Sequence, residues 1–200
     1  MPVRVDDPDG WRSVGDPDAA RPAAVLVLIA PDASGEARVV LIERQSYEGH
    51  HSGEIAFPGG SAEAGDADSA ATALREASEE IGLVPDAVRL RIVGLLETFW
   101  IPVSDFRVTP VLAIADRLPP WRLDAREVAG VIEAPLRWFL PGAPILTIER
   151  TVRAWRIRYG AYPLDDGPGP AGAADPADRP AVWGATARIL GQLGAIVGRI

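Results

Sequence analysis

The 200-residue sequence contains no cysteine and no lysine. Without cysteine, neither a disulfide framework nor a thiolate metal site can form. Without lysine, catalysis through a lysine Schiff base is excluded, and all 20 basic side chains are arginines. The acidic residues outnumber them and give a net charge of -8. This charge argues against nucleic acid as the main partner, because binding to its backbone depends on clustered cations.

Long apolar runs are also missing. No run approaches the roughly 20 residues that a transmembrane helix needs, and the N-terminus, with Asp6, Asp7 and Asp9, does not resemble a secretory signal. We therefore expect a soluble cytoplasmic protein that has no membrane partner. The chain is long enough to bury a substantial core, and a homodimer is kept open beside a monomer.

Apolar runs and turn residues predict strands and helices in mixed order, which indicates an α+β fold, an α/β/α sandwich with a mixed sheet between helices. Residues 1–22 are predicted to be an N-terminal arm and 23–163 the main domain. Residues 164–180 are predicted to be a surface loop and 181–200 a helix packed on the domain. Strands are expected at 23–30, 38–43, 53–57, 90–98, 107–115, 128–134, 145–152 and 154–159, with a short helix at 136–140.

A helix is predicted between residues 68 and 82. Asp68 or Ser69 is suited to cap its start, and Gly82, followed by Pro85, is suited to end it. The apolar residues at helical spacing that would form its buried stripe are Ala70, Leu74, Ala77 and Ile81.

The same helix carries an acidic face. Glu76, Glu79 and Glu80 are spaced i, i+3 and i+4, so their carboxylates project from one arc. Such spacing costs about a few tenths of a kcal/mol per pair, and the helix dipole disfavours anions in the last turns. A solvated face is one interpretation. The Gly59-Gly60 turn upstream favours the other, a site for a hard divalent cation, which prefers oxygen ligands.

The residues around these acids follow a known pattern. Arg75, Glu76, Ala77, Glu79, Glu80, Gly82 and Leu83 match, position for position, the second half of the Nudix hydrolase signature, and the chain resembles that family. In the first half, Gly60 is followed after five residues by Asp66 where the family has Glu, and eight residues rather than seven separate Asp66 from Arg75.

An upstream motif is similar to that of the coenzyme A pyrophosphatase branch of this family. An apolar strand ends at Arg44 and leads through Gly53 to Phe57-Pro58-Gly59-Gly60, and Trp183 to Thr186 give a weaker match. Gln45 stands where Ser or Ala is usual, and Gly49 stands where Arg is usual. The resemblance implies hydrolysis of coenzyme A; ADP-ribose, NADH or another dinucleotide is the alternative substrate. A nucleotide-sensing module without catalysis is the third reading, although such a module is expected to lose its acidic ligands.

The resemblance also implies roles for individual residues. Glu76, Glu79 and Glu80, joined by the carbonyl of Gly60, would bind Mg²⁺ or Mn²⁺. The catalytic residues would be Glu79, Arg75, which holds the glutamates in place, and a general base. The base would come either from the motif or from a later loop, and Glu97 and Asp105 are the candidates outside the motif. The substrate-binding residues would be Arg44, Gly59 and Gly60.

Other residues have competing interpretations. Arg44 has the planar fork that suits a phosphate, but a strand-end arginine is equally at home on the surface. His50 and His51 would point to opposite faces of a strand, so at most one of them faces the substrate. Phe99, Trp100 and Trp121 would stack on a base or, as is more common, pack in the core.

Overall fold

The computed structural model describes residues 19–45, 54–102, 104–152, 155–164 and 180–199. The described residues belong to two compact units, one within residues 14–136 and the other within 137–200. The predicted N-terminal arm ends too late in the sequence, because Arg21 and Pro22 are already the first residues of a strand. In that strand they pair with Phe106 and Arg107.

The unit within 14–136 is built on one sheet. Its strands are β1 (Arg21–Pro31), β2 (Ala37–Arg44), β3 (Ile55–Ala56), β4 (Gly59–Ser61), β5 (Arg91–Leu95), β6 (Phe99–Ile101), β7 (Phe106–Ile114) and β8 (Val128–Pro135). Its helix is α1 (Ser69–Ile81), and a 3-10 helix covers Pro85–Val88. The elements that the sequence predicts in this unit are confirmed, with ends that differ by a few residues.

Strand β1 is the centre of the sheet. It runs parallel to β7 along most of its length and antiparallel to β2 at its end, where Ile29 pairs with Val39. At its start it pairs antiparallel with β4, and Ala24 lies opposite Gly60. Strands β3 and β8 pair with β2, and β5 and β6 pair with β7. This is the mixed sheet that the sequence predicts. The predicted turn at Gly59-Gly60 is wrong, because both glycines are residues of β4 and pair with β1.

Helix α1 packs on one face of this sheet. Ala77 and Ile81 are fully buried, and Ala70 and Leu74 are partly buried against the same core. Asp68 caps the start by accepting a hydrogen bond from the Ala71 N–H. The predicted stripe and cap are therefore confirmed. The sheet residues in this core include Leu26, Leu28, Val40, Ile42, Val111 and Ala113.

The end of α1 is set by Gly82. It adopts a left-handed conformation, with φ of 67°, which glycine tolerates without a steric cost, and its N–H donates to the carbonyls of Ala77 and Ser78. The predicted stop is confirmed, and it fixes how far the acidic face of the helix extends.

The unit within 137–200 contains an antiparallel hairpin of β9 (Leu146–Val152) and β10 (Trp155–Pro163), then β11 (Ala181–Val182) and α2 (Gly184–Val197). A 3-10 helix at Leu136–Phe139 precedes it. The predicted helix from residue 181 is wrong at its start, because Ala181 and Val182 pair with Pro163 and Tyr162 as a strand. Most of the predicted loop 164–180 lies outside the described residues. Neither helix in the described part is long and apolar enough to cross a membrane.

Candidate active site

The two glycines of β4 lie directly against the acidic face of α1. Gly59 pairs with β1 so closely that a Cβ at this position would lie 2.6 Å from the Cα of Val25 and would overlap the carbonyl oxygen of Ala24. Only glycine permits this approach, and φ of 152° also favours it. The Gly59 N–H donates a 2.9 Å hydrogen bond to Oε2 of Glu80.

The next residue of β4, Gly60, faces a second glutamate. A Cβ on Gly60 would lie 2.6 to 2.8 Å from the three carboxyl atoms of Glu76. The side chain of Glu76 thus occupies the space that any residue other than glycine would need. Together, the two glycines bring a polar stretch of main chain to two of the three predicted metal ligands.

Arg75 holds this arrangement together. Its Nη1 donates to Oε1 of Glu76 at 3.0 Å and to Oε2 of Glu79 at 3.4 Å, and its Nη2 donates to the carbonyl of Ser61 at 2.9 Å. One planar guanidinium therefore fixes two glutamates of the helix and the end of β4. The predicted role of Arg75 in holding the glutamates is consistent with these contacts.

The remaining donors of Arg75 go to Asp66. Nε and Nη2 bind its two carboxylate oxygens, each at 3.1 Å, and the Thr72 hydroxyl and the Glu63 N–H also donate to it. These hydrogen bonds hold the pKa of Asp66 well below its usual range, and those from Arg75 contribute most. Asp66 thus supports Arg75 although its offset differs from that of the family signature.

The three glutamates occupy different environments. The side chain of Glu80 is 3% exposed, and burial raises its pKa to about 7, although the Gly59 N–H and the charge of Arg44 oppose the rise. Burial also raises the pKa of Glu76. Glu79, by contrast, is 62% exposed. Two carboxylates are therefore sheltered beside the glycines, and one lies at the surface.

The comparisons with known proteins agree with this geometry. The family model of the NUDIX domain matches residues 20–139, which is more than half of the chain. The chain belongs to the Nudix hydrolase family. It is 33% identical over 183 residues to the protein described as the uncharacterized Nudix hydrolase NudL of Salmonella paratyphi B, covering 89% of this chain and 83% of that relative. This Nudix hydrolase acts on a nucleoside diphosphate derivative.

A solved structure shares its fold. The crystal structure of a MutT/nudix family protein from Enterococcus faecalis aligns with a TM-score of 0.52 and 15% identity, covering 92% of this chain and 64% of that one. The Nudix hydrolase RenU of M. smegmatis aligns with a TM-score of 0.49 and 25% identity, covering 60% and 73% of the two chains.

Nudix enzymes generally use divalent metals. The candidate site of this Nudix hydrolase has oxygen donor atoms that suit such an ion. Three carboxylates and the main chain of Gly60 offer hard oxygen ligands, and the lack of a side chain on Gly60 lets the carboxylate of Glu76 lie against it. Among the described residues, no group of three acidic or histidine side chains already converges as a metal cluster. A bound cation would neutralise phosphate oxygens and lower the pKa of an attacking water.

The other predicted site residues lie in several places. Arg44, at the end of β2, has Nη1 3.8 Å from Oε1 of Glu80, so its cation lies beside the site. Glu97 is exposed and lies between β5 and β6. Its neighbours Leu96 and Thr98 form hydrogen bonds with residues of β7. The carboxylate of Asp105 accepts a hydrogen bond from Trp100. His50 and His51 lie outside the described residues.

The aromatic candidates are largely structural. Phe99 is buried, and Trp121 packs against the core while its indole N–H donates to Glu133 at 2.7 Å. Core packing, the commoner of the two interpretations, fits both residues.

Sequence analysis missed Ser61 and Thr72, which support Arg75 and Asp66. Thr72 lies three residues before Arg75 on the same helix, and this spacing places both side chains on one face. That spacing is a signal available from the sequence. No signal in the sequence indicates the contact of the Ser61 carbonyl, because this contact depends on how β4 packs against the helix.

Proposed function

We propose that this Nudix hydrolase cleaves the diphosphate of coenzyme A or of an acyl-coenzyme A, giving phosphopantetheine or its acyl derivative and adenosine 3',5'-bisphosphate. Mg²⁺ or Mn²⁺ is the cofactor, and Glu76, Glu79, Glu80 and the carbonyl of Gly60 are its ligands. The observation that carries the proposal is the contact of Gly59 with Glu80 and of Gly60 with Glu76.

Each residue of the site has a separate role in the proposed reaction. Arg75 positions Glu76 and Glu79. Glu79 is the catalytic carboxylate that water reaches most readily, because it is the most exposed of the three glutamates. Arg44 lies close enough to the buried Glu80 to bind a substrate phosphate next to it. Glu97 stays a candidate general base.

The preference for coenzyme A rests on the upstream motif, which runs in register from the strand that ends at Arg44 to the double glycine. One observation favours the alternative, ADP-ribose, NADH or another dinucleotide. Gln45 replaces the usual small residue, and its side chain donates a hydrogen bond to the carbonyl of Ala125 at 2.9 Å. The small side chain of the coenzyme A branch is therefore absent at this position.

A sensing module without catalysis is the less favoured reading. All three acids are retained, and Glu80 is kept buried at an energetic cost that a simple nucleotide-binding surface does not need. The expected cytoplasmic location and the choice between monomer and homodimer stay predictions.

A substrate panel tests the proposal. The purified protein is incubated with coenzyme A, acetyl-coenzyme A, ADP-ribose and NADH, with Mg²⁺, with Mn²⁺ or with EDTA, and products are separated by chromatography. We expect adenosine 3',5'-bisphosphate from coenzyme A in the presence of metal and none with EDTA. Turnover of ADP-ribose or NADH without turnover of coenzyme A would reject the branch and retain the family activity.

The Glu79→Gln variant tests the site itself. We expect hydrolysis to be lost while the circular dichroism spectrum and thermal unfolding stay unchanged, because the side chain is mostly exposed. Glu97→Gln, made in parallel, shows whether Glu97 acts as the base. Asp86→Asn, which removes an exposed acid of the 3-10 helix Pro85–Val88, is the matched control and should retain full activity.

A further inference from the structure

Arg44 lies where the pairing of β2 with β8 shifts register. Glu43 pairs with Gly130, but Arg44 pairs with Val128, so β8 contributes one more residue than β2 between these two pairs. A bulge of this kind interrupts the regular ladder and is over-represented next to active sites. The ladder alone therefore does not determine how Arg44 is held, and the contacts of the residue that follows it become important.

Gln45 is that residue, and it is bound to the segment 122–127. Its main-chain N–H donates to the carbonyl of Glu127 at 2.9 Å. Its side-chain Nε2 donates to the carbonyl of Ala125, also at 2.9 Å. A serine or alanine at this position would keep the main-chain bond but is too short to form the second one. The glutamine thus gives the end of β2 an additional attachment next to Arg44.

The segment 122–127 is itself fixed to the end of α1. The Arg122 N–H donates to the carbonyl of Ile81 at 3.0 Å. The Asp124 N–H donates to the carbonyl of Glu80 at 2.9 Å. The carbonyls of the last turn lack partners within the helix, and the segment supplies them from outside. It is therefore joined to the same turn that carries the buried glutamate of the site.

The part of the segment that Gln45 contacts is a tight turn. The N–H groups of Glu127 and Val128 both donate to the carbonyl of Asp124, at 3.0 and 2.9 Å. The carboxylate of Asp124 accepts a further hydrogen bond from the Arg126 N–H at 3.0 Å. The turn thus gives the amide of Gln45 a fixed main-chain partner.

These contacts form a closed path between two residues of the site. From Glu80 the path runs through Asp124 and its turn to Gln45, and from there to Arg44. It closes where Nη1 of Arg44 lies 3.8 Å from Oε1 of Glu80. This last distance exceeds that of a hydrogen bond, so the position of the guanidinium depends on the main chain that carries it.

We propose that Gln45 is a positioning residue that sets Arg44 at the substrate phosphate by fixing the end of β2 to the segment 122–127. The inference rests on the proposed function, in which Arg44 binds a phosphate of the substrate, but not on which diphosphate is the substrate. It assigns a role to the position at which this chain has glutamine and the coenzyme A branch has Ser or Ala.

Steady-state kinetics of Gln45→Met test the proposal, because methionine keeps the length of the side chain and removes the donor. With the best substrate of the panel and Mg²⁺, we expect KM to rise about fivefold, on the scale of one lost hydrogen bond. We expect kcat to change less than about twofold, as for a loss of binding that is equal in the ground and transition states. An unchanged KM, or a loss confined to kcat, would overturn the proposal.

Ser34→Ala is the matched control. It removes the hydrogen bond from the Ser34 hydroxyl to Asp32 in the turn at the opposite end of β2. It should leave KM unchanged, and a rise equal to that of Gln45→Met would overturn the specific role of Gln45. Circular dichroism and thermal unfolding verify that each variant is folded. Gln45→Asn, which shortens the amide by one methylene, has the same expected result and replaces Gln45→Met if that variant is unstable.

A double-mutant cycle with Arg44→Gln separates positioning from any other effect on binding. We expect Arg44→Gln to raise KM about tenfold, because a charged contact is lost. Gln45→Met should have no further effect in that background, since residues that act through one another are not additive. A fivefold rise in both backgrounds would show that Gln45 does not act through Arg44 and would overturn the proposal.

The result is distinguishable from a failure of the proposed function. If the wild type cleaves ADP-ribose but not coenzyme A, the substrate proposal fails, and a raised KM of Gln45→Met for ADP-ribose still supports this inference. If Arg44→Gln keeps the KM of the wild type, this inference is overturned while the metal-dependent hydrolysis stands. If the wild type cleaves no diphosphate of the panel, both proposals are rejected.

Discussion

The guanidinium of Arg75 binds the carboxylate of Asp66 through two parallel hydrogen bonds, each 3.1 Å long. Paired bonds of this kind combine charge with a fixed geometry. Asp66 fixes Arg75, which in turn contacts Glu76 and Glu79, two of the proposed metal ligands. In this chain the acid that follows Gly60 is shorter than that of the family signature and stands at a different spacing, and it binds the signature arginine.

This pair predicts how stability depends on pH. The pKa of Asp66 is depressed, mainly by the hydrogen bonds from Arg75. The stability that the ionised Asp66 contributes is therefore fully present above the ordinary aspartate pKa of about 4. It is lost as the pH falls through the lower pKa of the folded state. The free energy of unfolding of wild type minus Asp66→Asn should be largest near about pH 6 and shrink toward about pH 2. Urea denaturation across that range measures it, and a difference that stays constant would contradict the prediction.

Gly60→Ala should reduce metal binding more than stability. Its Cβ would lie 2.6 Å from Oε1 of Glu76, and the flexible end of that side chain moves away at little cost to the fold. We expect about a tenfold loss of Mn²⁺ affinity, comparable to the removal of a group that orients a ligand. The measurement is calorimetry combined with thermal unfolding.

Gly65→Ala is the matched control for that prediction, because a Cβ at Gly65 would meet nothing within 4 Å. It should bind Mn²⁺ like the wild type. If both alanine variants lose affinity equally, the close contact between Gly60 and Glu76 does not explain the effect.

The helix and its acids were predictable from local patterns. The cap at Asp68, the stop at Gly82 and the spacing of Glu76 and Glu80 each depend on residues at most five positions apart. The same holds for most of the sheet strands, whose apolar runs are bounded by turn residues; β4 (Gly59–Ser61), which has no apolar run, and β6 (Phe99–Ile101) were not predicted. Local chemistry therefore determines which elements exist and which face of α1 is acidic.

The environments of the acids were not predictable in this way. Glu80 is buried because β4 and the segment 122–127 both meet the last turn of α1, and these contacts join residues that are 21 and 44 positions apart. The start of α2 was mispredicted for a related reason: Val182 pairs with Tyr162. Long-range pairing decides such cases, and a single sequence does not encode it in any local pattern.

Arg75→Lys should lower turnover although the charge is kept. A lysine cannot reproduce the planar fork that binds Asp66, Glu76 and the Ser61 carbonyl together. We expect kcat to fall about tenfold or more, as for other groups that orient metal ligands, with a smaller change in KM. The steady-state rate with the best substrate of the panel is the measurement.

Arg38→Lys is the corresponding control, because Arg38 is also held by two carboxylates, Asp32 and Glu36, in the turn between β1 and β2. It should leave kcat unchanged. A similar loss in both lysine variants would indicate a general effect of removing arginine rather than a role for Arg75 at the site.

Two glycines of α2 predict opposite effects on stability. A Cβ at Gly194 would overlap the carbonyl oxygen of Phe139 and lie 3.1 Å from its carbon, and this main-chain group cannot move aside easily. At Gly191 the nearest atom, the hydroxyl of Tyr162, would be 3.5 Å away, an ordinary contact. Gly194→Ala should therefore lower the free energy of unfolding by about 1–3 kcal/mol, the usual cost of overpacking. Gly191→Ala should be neutral or raise it by up to about 1 kcal/mol, because alanine favours the helix. Urea denaturation of the two variants decides the matter, and equal stability would show that α2 does not approach Phe139 this closely.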